Sequence, residues 1–412
     1  MSEISYYSSE STFLDAQGLP RKIDLDSSEG HEGLQPFQNF INRLVDAENL
    51  IVLAGSGSSL TFNKPGCSSM APSMMDLWES CKSLDEKRFN EILKIVSYHE
   101  VAGKWPNGDP KKDIELLLSL CDSYLPLKNL SARRQQWVSD FLKSAKEKIL
   151  EETSFVDKVA EDDWVSHNMF LSKLGKRTPK QKRLKIFTTN YDLAFEVAAS
   201  NTGIIVIDGF EFSKPYRFNP AWYQYDIINR SQASEKGGAY LPNIIHLYKI
   251  HGSVDWVSTD QGICKQGGKT SVKGNPVFIY PSSTKYQNSY EPPYLDMMAA
   301  FLDALQKPRT ALLCVGFGFN DRHINNAITM ALRTNSEFMV MAATKDPFSE
   351  GSSFNAEIKT QMMQAAAAGD SRISIVDCSF EALSKLIPNR HKPSPEETLL
   401  SMFESVIGKG RM

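Results

Sequence analysis

The sequence predicts an α/β fold, a doubly wound, mostly parallel sheet with a helical insertion. Three observations carry that expectation. The run Asn49-Leu-Ile-Val-Leu-Ala54 is continuously apolar and stops at Gly55, the pattern of a strand covered on both faces before a tight turn. From residue 184 onward, strand-like segments alternate with helix-like ones, which lays helices over both faces of a parallel sheet. Between these two regions, residues 72–180 are dominated by helical spacing.

Taken in order, residues 1–34 are rich in Ser, Glu, Asp and Gly, lack regular apolar positions, and are expected to form a flexible arm. Phe37, Phe40, Ile41, Leu44 and Val45 then mark the buried face of a helix leading into the first strand. Within the insertion, Met75, Leu77 and Trp78, and later Ile114, Leu116, Leu117, Leu118 and Leu120, give helix faces. The basic stretch Lys173–Lys185 reads as solvated surface, with contact to a partner or nucleic acid as the alternative. Strands are expected at 184–188, 203–207, 244–250, 276–280, 311–315, 337–341 and 373–376. Helices are expected at 294–305, 322–333, 354–368 and 380–386. Residues 262–274, rich in Gly and Lys, suggest a loop or hairpin, and 391–412 a terminal helix. The sheet domain is therefore discontinuous, made of 35–71 and 181–390 around the insertion.

Bulk properties narrow the class. With 412 residues, 41% apolar and 23% charged, the chain has the composition of an ordinary globular protein. At 46 basic and 49 acidic residues the net charge is −3, so no overall field gathers nucleic acid or an anionic membrane. No apolar run approaches the ~20 residues that a membrane helix needs, and the N-terminus has no basic segment followed by an apolar one, so a cytoplasmic location is expected. The 6 cysteines are scattered and form no CxxC pair, which argues for a reducing compartment and no metal site.

The chemistry concentrates at strand ends. Ala54-Gly55-Ser56-Gly57-Ser58-Ser59 follows the first strand, where small residues let a backbone approach a pyrophosphate and free N–H groups bind its oxygens. A plain strand-to-helix connection would use the same glycines, since the third glycine of GxGxxG is missing. Three further segments accompany it: Ile186-Phe187-Thr188-Thr189-Asn190-Tyr191-Asp192, Lys249-Ile250-His251-Gly252-Ser253-Val254-Asp255-Trp256, and Val315-Gly316-Phe317-Gly318-Phe319-Asn320-Asp321.

In order and spacing these segments resemble sirtuin-like proteins, in particular the bacterial branch that includes NAD+-consuming antiphage effectors. The resemblance covers roughly 48–62, 184–260 and 310–385, leaving the insertion and both termini outside it. It implies a Rossmann-like NAD+ site in which Asn190 and His251 are catalytic. Ala54, Gly55, Ser56, Gly57, Ser58, Thr189, Asp192, Gly316, Phe317, Gly318 and Asp377 would bind the dinucleotide. Breaking the nicotinamide–ribose bond creates an oxocarbenium-like sugar, so the site must orient ribose and water and accept a proton. An amide such as Asn190 offers a donor and an acceptor without changing charge. His251, with an ordinary imidazole pKa, accepts a proton near neutrality.

Each of these residues also has a structural reading. Asn190 and Asp192 stand where helix caps stand, Asn320 or Asp321 can cap the helix after Gly316–Gly318, and Asp377 ends a strand. Outside the motifs, His31, His99, His167 and His391 are read as packed or surface residues.

Protein-deacetylating sirtuins carry a zinc module with two cysteine pairs, which this chain lacks. Together with the insertion, that departure makes water the expected acceptor and NAD+ glycohydrolase the expected activity. The alternatives are an NAD+-dependent protein deacylase and a non-catalytic NAD+ or ADP-ribose sensor. The resemblance further implies self-association and a HerA-type hexameric ATPase as partner. The chain itself has no GxxxxGK[ST] phosphate loop.

Overall fold

The protein's structure, a computed structural model, describes residues 3–11, 14–25, 28–64, 70–104, 108–127, 131–178, 181–230, 240–266, 275–278, 292–390 and 399. Twelve strands appear among them: β1 (Glu3–Ser8), β2 (Lys22–Asp24), β3 (Asn49–Ala54), β4 (Leu184–Thr188), β5 (Ile205–Ile207), β6 (Ile244–Lys249), β7 (Gly252–Thr259), β8 (Gly262–Lys265), β9 (Asn275–Phe278), β10 (Thr310–Val315), β11 (Met339–Thr344) and β12 (Ile373–Asp377).

The main sheet has nine strands in the order β2-β1-β12-β11-β10-β3-β4-β6-β5. From β12 to β5 every neighbouring pair is parallel, and β1 and β2 add an antiparallel edge. The expected doubly wound architecture is what forms. Its strand order reverses between β3 and β10, and the crevice beyond the carboxyl ends of such strands is where open α/β sheets place ligands.

The continuous apolar runs are explained by burial on both faces. Along β3, Leu50, Val52 and Ala54 pack into one core while Ile51 and Leu53 pack into the opposite one. β10 divides the same way, Ala311, Leu313 and Val315 against Leu312 and Cys314. Of the stretch expected as the insertion, Val165–Leu174 packs into the sheet domain's core through Phe170, Leu171 and Leu174, and the insertion proper folds as the helices Met74–Leu84, Glu86–Ile95, Tyr98–Val101, Ile114–Tyr124 and Ala132–Thr153. It has a core of its own that includes Trp78, Phe89, Leu117 and Phe141.

Three further expectations change. Residues 1–34 are not a flexible arm throughout: β1 and β2 extend the sheet, and the helix Ser28–Asp46 begins inside this stretch. Ile4 and Tyr6 are buried in the core, with Tyr6 edge-on to Phe37 at 5.6 Å. Their alternation with polar residues is too short to stand out among Ser and Glu. The expected strand at 276–280 forms as β9, but in a separate antiparallel sheet, β8-β7-β9, rather than among the parallel strands.

The Gly- and Lys-rich segment begins as β8, which makes a hairpin with β7, while 267–274 lies outside the described residues. The expected terminal helix at 391–412 also falls outside them, Leu399 excepted. The basic stretch, read as solvated surface, ties helix ends together. Lys173 donates to Ser384 O and Lys385 O, both at 2.8 Å, and the buried Arg177 guanidinium donates to Val45 O and Ala47 O. No helix among the described residues is long and apolar enough to cross a membrane.

If β1 is part of the core, Ile4→Ala should destabilise the protein by about 2–5 kcal/mol, the usual cost of deleting a buried aliphatic side chain. Urea unfolding measures it, and a change close to zero would return the N-terminal segment to the status of a dispensable arm.

Candidate active site

Register brings the motifs together. Val315 pairs with Ala54, Ala54 with Thr188, and Thr188 with Lys249, so the residues just past each strand emerge side by side. They wall a cavity of about 1800 Å³. Gly55, Ser56, Gly57, Thr189, Asn190, Asp192, His251, Gly316, Phe317 and Gly318 all line it. Ala54 and Ser58 are fully buried behind the surface and shape the turn instead of facing the cavity. Asp377 stands outside the lining, where it accepts from Asp346 N at 2.8 Å, and Cys378 and Ser379 take the place expected for it.

The glycine turn makes a backbone contact of its own beside the cavity. Gly55 N donates to Val315 O and Gly57 N to Gly316 O, both at 3.0 Å, while Ser58 N returns to Gly55 O. These amides are therefore committed within the protein. A Cβ on Gly55 would lie 2.6 Å from Gly316 O, and one on Gly57 would lie 2.6 Å from Gly316 Cα. Gly316, at φ +56°, would place a Cβ 2.4 Å from Gly57 C. Glycine is required because two strand-end turns touch backbone to backbone.

Asn190 is held by that turn. Its Nδ2 donates to Gly55 O (3.1 Å), Ser59 Oγ (3.0 Å) and Ser58 Oγ (3.2 Å). A carbonyl such as Gly55 O accepts only, which fixes the orientation of the amide. Its Oδ1 is left as an acceptor with no partner among the described residues, on a side chain that lines the cavity.

Asp192 caps the following helix through Ala194 N (3.0 Å) and accepts from Ser59 Oγ (2.8 Å), so its structural reading is realised at the cavity wall. Beneath the loop, the buried Lys249 ammonium donates to Tyr191 O (3.2 Å), to Asp192 O and to Glu196 Oε1 (3.1 Å). That clamp, together with Val254 N donating to Tyr191 O at 3.0 Å, fixes the segment carrying Asn190 to the one carrying His251.

His251 is buried, and its Nε2 lies 3.2 Å from Asp321 Oδ2. Asp321 uses its other oxygen to cap the helix Arg322–Thr334 through His323 N and Ile324 N. With Nε2–H donated to the carboxylate, Nδ1 is the nitrogen available to accept a proton. It faces Glu115 Oε1 at 3.9 Å, beyond hydrogen-bond range. Burial opposes the charged imidazole, but the Asp321 hydrogen bond and the Glu115 and Asp321 charges outweigh it and raise the pKa above 6.5. Asp321 shifts downward: burial raises its pKa, but the His251 contacts and the cap amides overcome that effect.

Glu115 was not anticipated. It comes from the insertion, in the first turn of the helix Ile114–Tyr124, and its other contact is Tyr191 Oη, donating at 2.8 Å. In sequence it reads as an acidic residue complementing a helix N-terminus after the cap Asp113, and nothing in that pattern points to a distant histidine. Among the other histidines, His167 is wholly buried and stacked on Phe62 at 4.6 Å.

The geometry defines a doubly wound α/β protein with a histidine–carboxylate pair in the cavity at its switch point. A family model described as SIR2-like domain matches residues 184–362, from β4 through most of the helix Ala356–Ala367, and so takes in Asn190, His251, Gly316 and Asp321. The Gly55 turn and the insertion lie outside that match. No curated protein matches the chain. Many solved structures are similar to it, among them two of Sir2 proteins. One, described as the structural basis for the mechanism and regulation of Sir2 enzymes, is 11% identical with a TM-score of 0.36, over 85% of this chain and 95% of that one. The other, a mutant Sir2 homologue in complex with ADP-ribose, is 9% identical with a TM-score of 0.32, over 80% and 96%.

Two measurements probe the site. NMR titration should place the His251 pKa above 6.5, and Asp321→Asn should bring it down. A raised folded-state pKa means that the pairing stabilises fully below the ordinary value and is lost as pH rises through the raised one. The stability margin of wild type over Asp321→Asn should therefore shrink on the alkaline side, and a wild-type value at or below the ordinary one would refute the pairing. Gly57→Ala should cost roughly 1–3 kcal/mol of stability with no nucleotide present, because the new methyl separates the two turns. An unchanged urea midpoint would show that the turns do not need their backbone contact.

Proposed function

We propose that the chain is a sirtuin-like NAD+ glycohydrolase that converts NAD+ and water to nicotinamide and ADP-ribose. One observation carries the reading: His251, with Nε2 tied to Asp321, and Asn190, with only its Oδ1 uncommitted, open into one cavity at the switch point of the sheet. The SIR2-like match spans both residues.

In this reading the bond between the nicotinamide nitrogen and ribose C1′ breaks, and its electron pair neutralises the departing pyridinium. Asn190 Oδ1 accepts a hydrogen bond from a ribose hydroxyl or from the incoming water. As the water oxygen bonds to C1′, His251 Nδ1 takes its proton, and the Asp321 carboxylate stabilises the imidazolium. Since the amides of Gly55 and Gly57 are committed, the pyrophosphate charge falls to Arg322 and Lys345, which line the same cavity. Residues of the insertion, among them Met74, Leu77 and Leu116, form part of the cavity wall, which favours water over a peptide as acceptor.

The proposal extends to context. Unchecked NAD+ hydrolysis arrests a cell, which suits an antiphage effector restrained until a trigger arrives. Self-association and a HerA-type hexameric ATPase would supply that control. With no GxxxxGK[ST] loop in this chain, ATP hydrolysis would belong to the partner.

The test is incubation of the full chain, alone and with its candidate ATPase, with NAD+. Nicotinamide and ADP-ribose should appear in equal amounts without any acylated peptide. Asn190→Ala and His251→Ala should each lower kcat about 10²-fold or more, and kcat/KM should rise with pH through the raised His251 pKa. Product formed only with an acylated peptide, or nucleotide binding without turnover, would overturn the reading.

A further inference from the structure

We infer that Glu115, delivered by the helical insertion, is a catalytic carboxylate that faces the ribosyl cation as the nicotinamide bond breaks. This rests on the glycohydrolase reading and adds a group from outside the SIR2-like match.

The placement is built rather than incidental. Tyr98 Oη donates to Lys111 O at 2.8 Å and accepts from Asp113 N at 2.9 Å, holding the segment just before the helix. Asp113 then caps the first turn through Leu116 N at 3.0 Å. Glu115 projects from that turn into the cavity, with its side chain 20% exposed. Tyr191 Oη aims the carboxylate, and Tyr191 is the neighbour of Asn190. Three groups from separate parts of the chain thus converge: Asn190 after β4, His251 after β6, and Glu115 from the insertion.

The chemistry has a task for it. Glycoside hydrolysis ordinarily uses two carboxyl groups, one of which protonates the leaving group. Nicotinamide leaves by taking the bonding electron pair onto a nitrogen that was already positive, so no proton donor is needed. What remains is positive charge, first on C1′ and the ring oxygen, then on His251 when it takes the proton from water. Asp321 faces His251 on the Nε2 side, and Glu115 approaches its Nδ1 at 3.9 Å, on the side where the water and ribose must sit. Glu115 neither gains nor loses a bond. It stabilises the cation electrostatically in a site largely shielded from water.

The experiment compares the wild-type full chain with Glu115→Gln and Tyr191→Phe on NAD+, with ADP-ribose affinity and thermal unfolding measured alongside. Glu115→Gln keeps the shape and the acceptor for Tyr191. It should lower kcat about 10²-fold, with KM, ADP-ribose affinity and melting temperature close to wild type, because neither NAD+ in the ground state nor the product carries the ribosyl cation. Tyr191→Phe should cost about tenfold in kcat by releasing the carboxylate. A Glu115→Gln protein that turns over NAD+ within twofold of wild type overturns the role of Glu115 alone. So does a loss confined to KM or accompanied by unfolding. Absence of NAD+ turnover by wild type, with and without the ATPase, overturns this inference and the glycohydrolase reading together.

Discussion

The site depends on a backbone contact between two turns. Gly55 and Gly57 after β3 lie directly against Gly316 after β10, close enough that no Cβ fits at any of the three positions. This contact spans the point where strand order reverses, the place where a doubly wound sheet would otherwise splay its loops apart. The polar side chains around it inherit its precision. Gly55 O, fixed by the contact, is an acceptor for Asn190 Nδ2, and Asp321, shortly after Gly316, is the carboxylate on His251. The residues that orient the amide and the imidazole are thus set by main-chain packing, which has fewer ways to relax than side chains do.

Electrostatics adds a second layer. A buried charge without a partner is costly, and around the site the described structure answers that cost by using buried charges to fix loops. The Lys249 ammonium, almost fully enclosed, ties Tyr191 O and Asp192 O to Glu196. Glu196 responds as expected for such a pair: burial pushes its pKa up, and Lys249 pulls against that shift. The loop bearing Asn190 is therefore held from below by a cation and from the side by hydroxyls, while His251 is held by an anion that also caps a helix. Removing any one of these charges would leave its partner desolvated as well as freeing the loop.

How much of this was legible in the sequence turns on the physical origin of each feature. The strands β3 and β10 could be read because burial on both faces writes a continuous apolar run, and the residues ending them were legible as motifs. The edge strand β1 was not, because half of its residues are polar and only its partner β12 reveals its role. The glycines were noticed for a sound reason but a different one. Sequence shows that a backbone must come close to something, and cannot say whether that something is a ligand or another backbone. Asp377 was misplaced relative to the cavity by one or two residues, the difference between a strand's last residue and the turn beyond it. Asp321 was seen as a cap, which it is, while its second contact required knowing that β6 and β10 flank the same crevice.

Glu115 was illegible because it reaches the site through three-dimensional packing alone. The insertion has its own hydrophobic core, so the position of Glu115 is set by Trp78, Phe89, Leu117 and their neighbours, together with the Tyr98 anchor. Its link to the sheet domain at the site is a hydrogen bond to Tyr191 and a charge interaction with His251. Under the proposed glycohydrolase reading, the sheet domain can keep its strands rigid and still have its chemistry adjusted, because one charged group is carried by a separately packed unit. Displacing that unit by a fraction of the 3.9 Å gap would alter the field at His251 and leave the interlocked turns of β3 and β10 untouched. On that reading, binding and reactivity would be governed by different parts of the fold, with the sheet's backbone contact holding the cavity's shape and the insertion's packing setting its electrostatics.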